Sequence, residues 1–541
     1  MKAISESKLH KTNFDSGGKS MFMNNLKETL NEDYNVSVTE NGAVGYKTTG
    51  KNLLDMNFKV SSMRQMNEKQ ITDIFMKAFY EDKMLAVKWL FFCRDIRGGM
   101  GERRTFRIIY RYLAENHPEI ADSLMLLVAE YGRWDDLLCL FSTPLESIMA
   151  EYLNKRLERD LKNMQENKPV SLLAKWLPSI NTLSKEKVDM ACKLTEYWNM
   201  SKGTYRKTLH KLRSYLKVVE VQMCANKWSE IEYSAVPSRA NLFYNNAFLK
   251  HDEERRREYL SKLTKGEEKI NAATLFPHDI VHRYGNSWRL NPYDTVLEEL
   301  WKALPDFVNG AGNTICVADG SGSMDTNVSN RTHVTALEVA NALAIYFAEK
   351  SSGEFKDKYI TFSMNPQLVD FSKCNSLREK LKVAYLHNEC SNTNIEAVFN
   401  LILTTALKHN MTQDELPQNI LILSDMEFDS CARTSSKQGM DYFWNGNKVT
   451  KNLFKVIKNK YEEHGYKLPR LIFWNICSRT GTIPIKENDL GVALVSGFSP
   501  AIVKMVLSNE LDPFKCLLEQ LNSVRYDDVE VCVKNALKHE M

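Results

Sequence analysis

The spacing of apolar residues changes part-way along this 541-residue chain. From about Leu53 to Asn291 they recur at helical intervals, as in EKQITDIFMKAFYEDKMLAVKWLFFCRDI, with turn signals such as NKP and LPS between the runs. This pattern predicts an almost wholly α-helical half. Because successive helices must stack in pairs to bury their apolar faces, we expect degenerate, HEAT-like helical repeats arranged as a solenoid or a ring.

From about residue 310, short β-branched runs alternate with helical stretches. The strand pattern TICVA ends in a carboxylate and a Gly/Ser loop, and QNILILSDMEF and RLIFWNIC repeat the strand pattern further along. Alternating strands and helices predict a parallel, doubly wound sheet, in which ligands bind at the carboxyl ends of the strands. We therefore expect a flexible leader (residues 1–35), a helical-repeat domain (36–305) and an α/β domain with a C-terminal helical extension (306–541).

Composition excludes several classes of protein. The 72 Lys and Arg barely exceed the 68 Asp and Glu, so any surface that binds nucleic acid must be local. The eleven cysteines include no C-x-x-C pair, which argues against a zinc ribbon and against a disulfide framework. Without a signal peptide or a long apolar run, the sequence predicts a cytoplasmic protein that does not enter a membrane.

Hard oxygen ligands follow two of the predicted strands. Asp319, Ser321 and Ser323 come directly after TICVA, Asp425 follows ILILS, and Thr393 precedes a helical stretch. Magnesium prefers about six hard oxygen ligands, which carboxylates, hydroxyls and waters supply together. These five residues therefore predict a site for Mg²⁺ or another divalent cation.

A plainer interpretation makes Asp319 a turn residue, with Ser321 and Ser323 capping the next helix. Catalysis is a weaker hypothesis, because the chain has no G-x-S-x-G elbow and no P-loop motif. No general base or second metal set is evident beside the two carboxylates, so we expect a protein that is not an enzyme.

The five oxygen ligands resemble, in type and order, the metal-ion-dependent adhesion site of the von Willebrand factor A (vWA) family. Its pattern is D-x-S-x-S followed by a distant Thr and a distant Asp, and the likeness covers residues 311 to about 500. Ser391 and Asn392 stand where many members have two glycines before the Thr. The resemblance implies a site at which a partner carboxylate or a phosphate oxygen completes the coordination of the metal.

Residues 94–111 form the first of two basic segments in the helical half. The segment holds six arginines beside Asp95 and Glu102. We interpret several of these charges, Arg94 with Asp95 and Glu102 among them, as internal ion pairs that fix a helix corner.

The second basic segment, YRKTLHKLR at residues 205–213, has no acidic residue. Arg206, Lys207, Lys211 and Arg213 cannot all pair within their own helix, so we predict that their charges are free for phosphate. The alternative is an ordinary solvated helix face.

The helical half also carries motifs of a known module. RDIRGGMGERRTFR, with YGRWDDLL at residues 131–138, resembles the TROVE module of telomerase, Ro and vault proteins. That resemblance implies a helical ring bridged by the vWA-like domain and a non-enzymatic, Ro-like scaffold that binds structured or misfolded non-coding RNA as a ribonucleoprotein. The alternative is a protein–protein adaptor, which uses the metal to bind a partner carboxylate without RNA.

Overall fold

The helical half is a succession of mostly short helices. A computed structural model of the chain describes residues 34–286, 289–308, 313–330, 332–362, 365–388, 394–428, 453–484, 492–503 and 512–538. This half begins with a hairpin of strands β1 (Val36–Val38) and β2 (Val44–Tyr46), and a second small hairpin, β3 (Gly285–Asn286) and β4 (Arg289–Leu290), lies near its end. The helices are α1 (Asn52–Phe58), α2 (Glu68–Glu81), α3 (Lys83–Arg94), α4 (Arg103–Asn116), α5 (Pro118–Ser123), α6 (Val128–Tyr131), α7 (Glu146–Gln165), α8 (Leu173–Trp176), α9 (Lys185–Tyr197), α10 (Lys202–Tyr215), α11 (Val219–Cys224), α12 (Ser238–His251), α13 (Glu253–Thr264), α14 (Pro277–Tyr284) and α15 (Thr295–Lys302).

Polar residues at the helix starts explain where several of these helices begin. Asn67 accepts a hydrogen bond from the Gln70 amide, and the Gln70 side chain accepts one from the Asn67 amide, which closes a capping box on α2. Asp82 caps α3 and Ser201 caps α10 more simply, because each side chain accepts one hydrogen bond from a backbone amide of the first helical turn. The prediction of an almost wholly helical half is confirmed, apart from the two hairpins.

The second half is built around a six-stranded sheet. Its strands are β5 (Thr314–Asp319), β6 (Lys358–Phe362), β7 (Gln367–Asp370), β8 (Asn419–Ser424), β9 (Arg470–Asn475) and β10 (Val492–Ser496), in the order β10-β9-β8-β5-β6-β7. All neighbouring pairs are parallel except β6 and β7, which pair antiparallel. The predicted α/β half is therefore confirmed, with one antiparallel edge strand that the periodicity analysis did not include.

The helices of this half are α16 (Ala336–Lys350), α17 (Leu377–Leu386), α18 (Ile395–Lys408), α19 (Leu453–Glu463), α20 (Pro513–Leu521) and α21 (Asp527–Lys538). Helix α16 is buried along almost its whole length and packs against β5, β6 and β8. A helix that is apolar on all sides is typical of a core position.

Both ends of the helical half contact the α/β half. At its beginning, α1 packs against β10, and the Asn475 side chain donates to the Phe58 carbonyl at 2.8 Å. At its end, α14 packs against α16, and Trp301 of α15 donates from Nε1 to Glu349 Oε2 at 2.7 Å. The helical half thus begins and ends at the α/β half.

The two ends of the described chain each cross to the opposite half. The β1–β2 hairpin lies on the α/β half, where Tyr46 forms a β-bridge with Ile483. Helix α21 packs against α3 and α5, and Lys88 of α3, which is buried, pairs with Glu530. In addition, Tyr526 donates to Asp95 Oδ2 at 3.2 Å.

Within the described ranges, no helix is both long and apolar enough to cross a membrane. The nine cysteines in that part of the chain are free thiols, in agreement with the absence of a disulfide framework.

Candidate functional site

Two buried carboxylates lie at the carboxyl ends of adjacent strands. Asp319 ends β5 and Asp425 follows β8, and these strands pair in parallel, with Ala318 opposite Leu423. The strand order reverses here, because β6 lies on one side of β5 and β8 on the other. This is the point of a doubly wound sheet at which ligands bind. Asp319 is 1% exposed and Asp425 is fully buried.

The loop after β5 wraps around the Asp319 carboxylate. Oδ1 accepts a hydrogen bond from the Ser321 amide at 2.9 Å, and Oδ2 accepts one from the Ser424 hydroxyl at 2.6 Å. Burial, and secondly the charge of Asp425, raise the pKa of Asp319. Burial also raises the pKa of Asp425. Two carboxylates in this setting favour a bound cation, which would stabilise both in their charged forms.

The hydroxyls of the loop face the same place. Ser321 Oγ and Ser323 Oγ are 3.0 Å apart, and the Ser323 side chain hydrogen-bonds to Asp425. Four of the five predicted metal ligands therefore come together, whereas Thr393 lies outside the described residues. Among the described residues, no group of three or more His, Cys, Asp or Glu side chains is placed to hold a metal. A metal at this edge would consequently depend on hydroxyls, and on water, as well as on the two carboxylates, a donor set that fits Mg²⁺.

Two further residues at this edge, Glu427 and Arg479, were not predicted from the sequence. Glu427, which is fully buried, accepts hydrogen bonds at Oε1 from the Arg479 and Thr480 amides, both at 2.9 Å. At Oε2 it accepts the Glu40 amide of the β1–β2 hairpin at 2.9 Å. The guanidinium of Arg479 lies between Asp425 and Glu40. Glu427 could have been suspected from its place two residues after Asp425, but Arg479 has no local signal.

A large basic cavity is lined almost entirely by the helical half. Its volume is about 2060 Å³, and its wall contains ten arginines and two lysines but five carboxylates. Segments between Arg64 and Phe276 line it, and Ser329 and Thr332, in the segment between β5 and α16, complete the wall. Such an excess of positive charge in a concave surface attracts a polyanion.

The segments RDIRGGMGERRTFR and YGRWDDLL meet at this wall. Asp136 is fully buried, and its Oδ2 accepts Arg94 Nε while its Oδ1 accepts Arg107 Nε, both at 2.7 Å. Gly132 is required beside them, since an added Cβ would lie 2.5 Å from Asp136 Oδ2 and 2.8 Å from Arg94 Nε.

Arg94, Asp95 and Glu102 do form internal ion pairs, but with partners distant in sequence and not with one another. Arg94 pairs with Asp136, Asp95 pairs with Arg525, and Glu102 pairs with Arg64. The acidic and basic residues of the segment thus do not neutralise one another. Each of the three pairs joins the helix corner to a different part of the chain.

Arg103 is the exception in this segment. Its guanidinium makes no hydrogen bond or ion pair with any described residue, although it lines the cavity. Burial, and then repulsion from Arg133 and Arg107, lower the pKa of Arg103 to about 10. Arg133 stacks 3.8 Å above the ring of Trp176, and Lys175 of the same wall forms no ion pair within the described ranges. The two cations without an ion-pair partner at this corner, Arg103 and Lys175, thus lie near the stacked Arg133 and Trp176.

The second basic segment forms α10, and the prediction for Arg213 is wrong. Arg213 donates from Nε to the Ala174 carbonyl at 2.7 Å, and from Nη2 to the Leu177 carbonyl and Nη1 to the Ser179 hydroxyl, both at 2.8 Å. Its guanidinium therefore satisfies the end of α8 and is not free for phosphate. Arg206, Lys207 and Lys211 are exposed, as expected, but they do not line the cavity.

Comparison with known proteins gives one curated relative and two family matches. An uncharacterized protein of Acanthamoeba polyphaga mimivirus is 30% identical over 527 residues, which cover 90% of this chain and 87% of the viral protein. The chain belongs to the family of this viral protein. Residues 39–147 and 182–313 match a domain of unknown function (DUF2828), and residues 313–535 match another (DUF7788). The boundary between these two family domains immediately precedes β5, where the sheet begins.

Proposed function

We propose that the protein is a non-enzymatic, Ro-like scaffold that binds single-stranded parts of non-coding RNA in the basic cavity. The observation that carries this proposal is the excess positive charge of the cavity wall, to which Arg103, Lys175 and Lys187 contribute without an ion-pair partner among the described residues. Phosphate contacts supply most of the affinity of such surfaces, and aromatic faces let bases stack without selecting a sequence. Bases also stack on guanidinium planes, and the wall holds the Arg133 guanidinium stacked on the Trp176 ring.

The path of the chain supports the TROVE-like part of the proposal. A helical half whose two ends both contact the α/β half has the connectivity of a ring bridged by that domain. The cavity then corresponds to the space that the ring encloses, with Ser329 and Thr332 as the contribution of the bridging domain.

The α/β half is proposed to be a vWA-like domain that binds Mg²⁺. Asp319, Ser321, Ser323 and Asp425 would hold the ion, and Thr393 would be the fifth protein ligand. When bound, the ion supplies an open coordination position for an oxygen of a partner. The convergence of two buried carboxylates and two hydroxyls at the switch point of the sheet supports this assignment.

Binding of the full chain to a fluorescent single-stranded oligoribonucleotide, followed by anisotropy, tests the RNA proposal. The cavity variant replaces Arg103, Lys175 and Lys187 by Gln, and the matched control replaces Arg206, Lys207 and Lys211 on α10 by Gln. We expect the cavity variant to lose affinity and to flatten the salt dependence by about 0.7 slope units for each phosphate that it no longer binds. The control should bind like the wild type.

Three results would contradict this proposal in different ways. If the control loses affinity and the cavity variant does not, the RNA surface is the exposed face of α10. If a duplex of the same sequence binds as tightly as the single strand, the preference for single strands is wrong. If the wild-type chain binds no RNA, the adaptor hypothesis is preferred.

A further inference from the structure

Arg479 brings a cation into the proposed metal site. Its Nη1 donates to Asp425 Oδ2 at 3.0 Å and also lies 3.4 Å from the Ser323 carbonyl oxygen. Asp425 is buried, whereas the Arg479 side chain is 23% exposed, so the guanidinium enters the site from the surface. Arg479 thus lies at the entrance to the site and supplies a positive charge to Asp425, where a metal ion would otherwise be the only cation.

The other edge of the same guanidinium is held by the β1–β2 hairpin. Arg479 Nε lies 3.0 Å from both carboxylate oxygens of Glu40, and Nη2 lies 2.7 Å from Oε2. Hydrogen bonding to this carboxylate raises the pKa of Arg479, and the same bond lowers the pKa of Glu40. The hairpin itself is held independently, because the Glu40 amide and the Asn41 side chain both donate to Glu427. Glu40 is therefore a fixed anion on the outer side of Arg479.

We propose that Arg479 and the metal ion compete for Asp425, and that Glu40 tunes this competition by drawing Arg479 away from the site. This inference rests on the proposed magnesium site. Magnesium takes its oxygen ligands at about 2.0–2.1 Å, so an ion bound to Asp425 would lie a few ångströms from the guanidinium. Like charges at that distance repel strongly outside bulk water. A bidentate carboxylate on the opposite edge neutralises Arg479 and offers it another partner.

Titration calorimetry of the full chain with Mg²⁺, and with Mn²⁺ as a second probe, tests the competition. Arg479→Gln should bind either metal at least about tenfold more tightly, because a competing cation is gone. Glu40→Gln should bind it more weakly, because Arg479 then has Asp425 as its remaining carboxylate partner. In the double variant, the loss of Glu40 should have no further effect, and the affinity should equal that of Arg479→Gln.

Two controls separate the effect of the charge at Arg479 from that of the net charge of the chain. Arg479→Lys keeps the charge and should stay near the wild-type affinity. Arg257→Gln removes an exposed arginine that pairs with Glu253 on its own helix, and it should leave metal affinity unchanged. Thermal denaturation of each variant without metal checks that the fold is retained.

The possible results separate a failure of the competition between Arg479 and the metal from a failure of the magnesium site itself. If the wild type binds metal and Arg479→Gln binds no more tightly, the competition is refuted and the metal site stands. If Glu40→Gln weakens binding equally with and without Arg479, the hairpin does not act through that residue and its tuning role is refuted. If neither the wild type nor Arg479→Gln binds metal, the magnesium site itself is refuted, and the inference falls with it. Binding by Arg479→Gln alone supports strong competition.

Discussion

Replacing Asp136 by Asn should destabilise the protein strongly. The Asp136 carboxylate neutralises Arg94, whose side chain is 3% exposed, and also binds Arg107 and the Arg133 amide. Asn presents one oxygen and one NH2 group, so at least one of these donors would face another donor. Removing one partner of a buried ion pair leaves an uncompensated charge and costs about 3–5 kcal/mol.

The change can be measured by thermal and urea denaturation of the full chain. A loss of this size should lower the melting temperature of a helical half this large by ~10 °C. Gly132→Ala should act in the same direction, because its Cβ would collide with Asp136. The matched control is Arg111→Gln, which breaks an exposed pair with Glu115 and should cost no more than ~0.5 kcal/mol. If the free energies of unfolding of Asp136→Asn and of the control differ by less than about 1 kcal/mol, the pair of Asp136 with Arg94 does not stabilise this corner.

Three further predictions concern other parts of the chain. Arg213→Gln should lower the melting temperature, because three acceptors at the end of α8 lose their donor, whereas Lys207→Gln should leave it unchanged. Burial lowers the pKa of His278 to about 4, so its neutral form is favoured in the fold and stability should fall as the pH drops from about 6.5 towards 4. His278→Phe should remove that part of the acid sensitivity, and an unchanged pH profile of unfolding would refute the assignment. Asp319→Ala should abolish metal binding in calorimetry with a modest effect on stability, and binding as tight as that of the wild type would exclude Asp319 as a ligand.

The meeting of Asp319 and Asp425 at one edge of the sheet could be predicted from the sequence because it follows from short-range patterns. An apolar strand that ends in a carboxylate recurs at Asp319 and Asp425, and the carboxyl ends of neighbouring parallel strands meet at one edge of a sheet. Which strands are neighbours was not predictable from periodicity alone. Nor was Arg479, whose partners Glu40 and Asp425 lie 439 and 54 residues away along the chain.

The basic segments show the limit of counting charges in a local window. The absence of acidic residues near Arg213 suggested a free guanidinium, but its acceptors are neutral oxygens 34 to 39 residues earlier in the chain. In residues 94–111, where several charges were expected to pair internally, Arg103 has no ion pair among the described residues, since the acidic residues of that segment bind arginines elsewhere. Whether a charge is free for a ligand is therefore decided by tertiary contacts with carbonyls as much as by nearby charges of opposite sign.

The way in which the ends of the chain cross between halves decides how the function must be tested. A fragment cut near residue 300 would keep α1 to α14 but would lose α21, which packs on α3 and α5. Lys88 would lose Glu530 and Asp95 would lose Arg525, which would leave two largely buried charges without their partners at the helix corner that carries the cavity arginines. The complementary fragment would lose the hairpin whose Glu40 holds Arg479. Loss of RNA or metal binding in either fragment would thus report damaged folding, so both activities have to be assigned by point substitutions in the full chain.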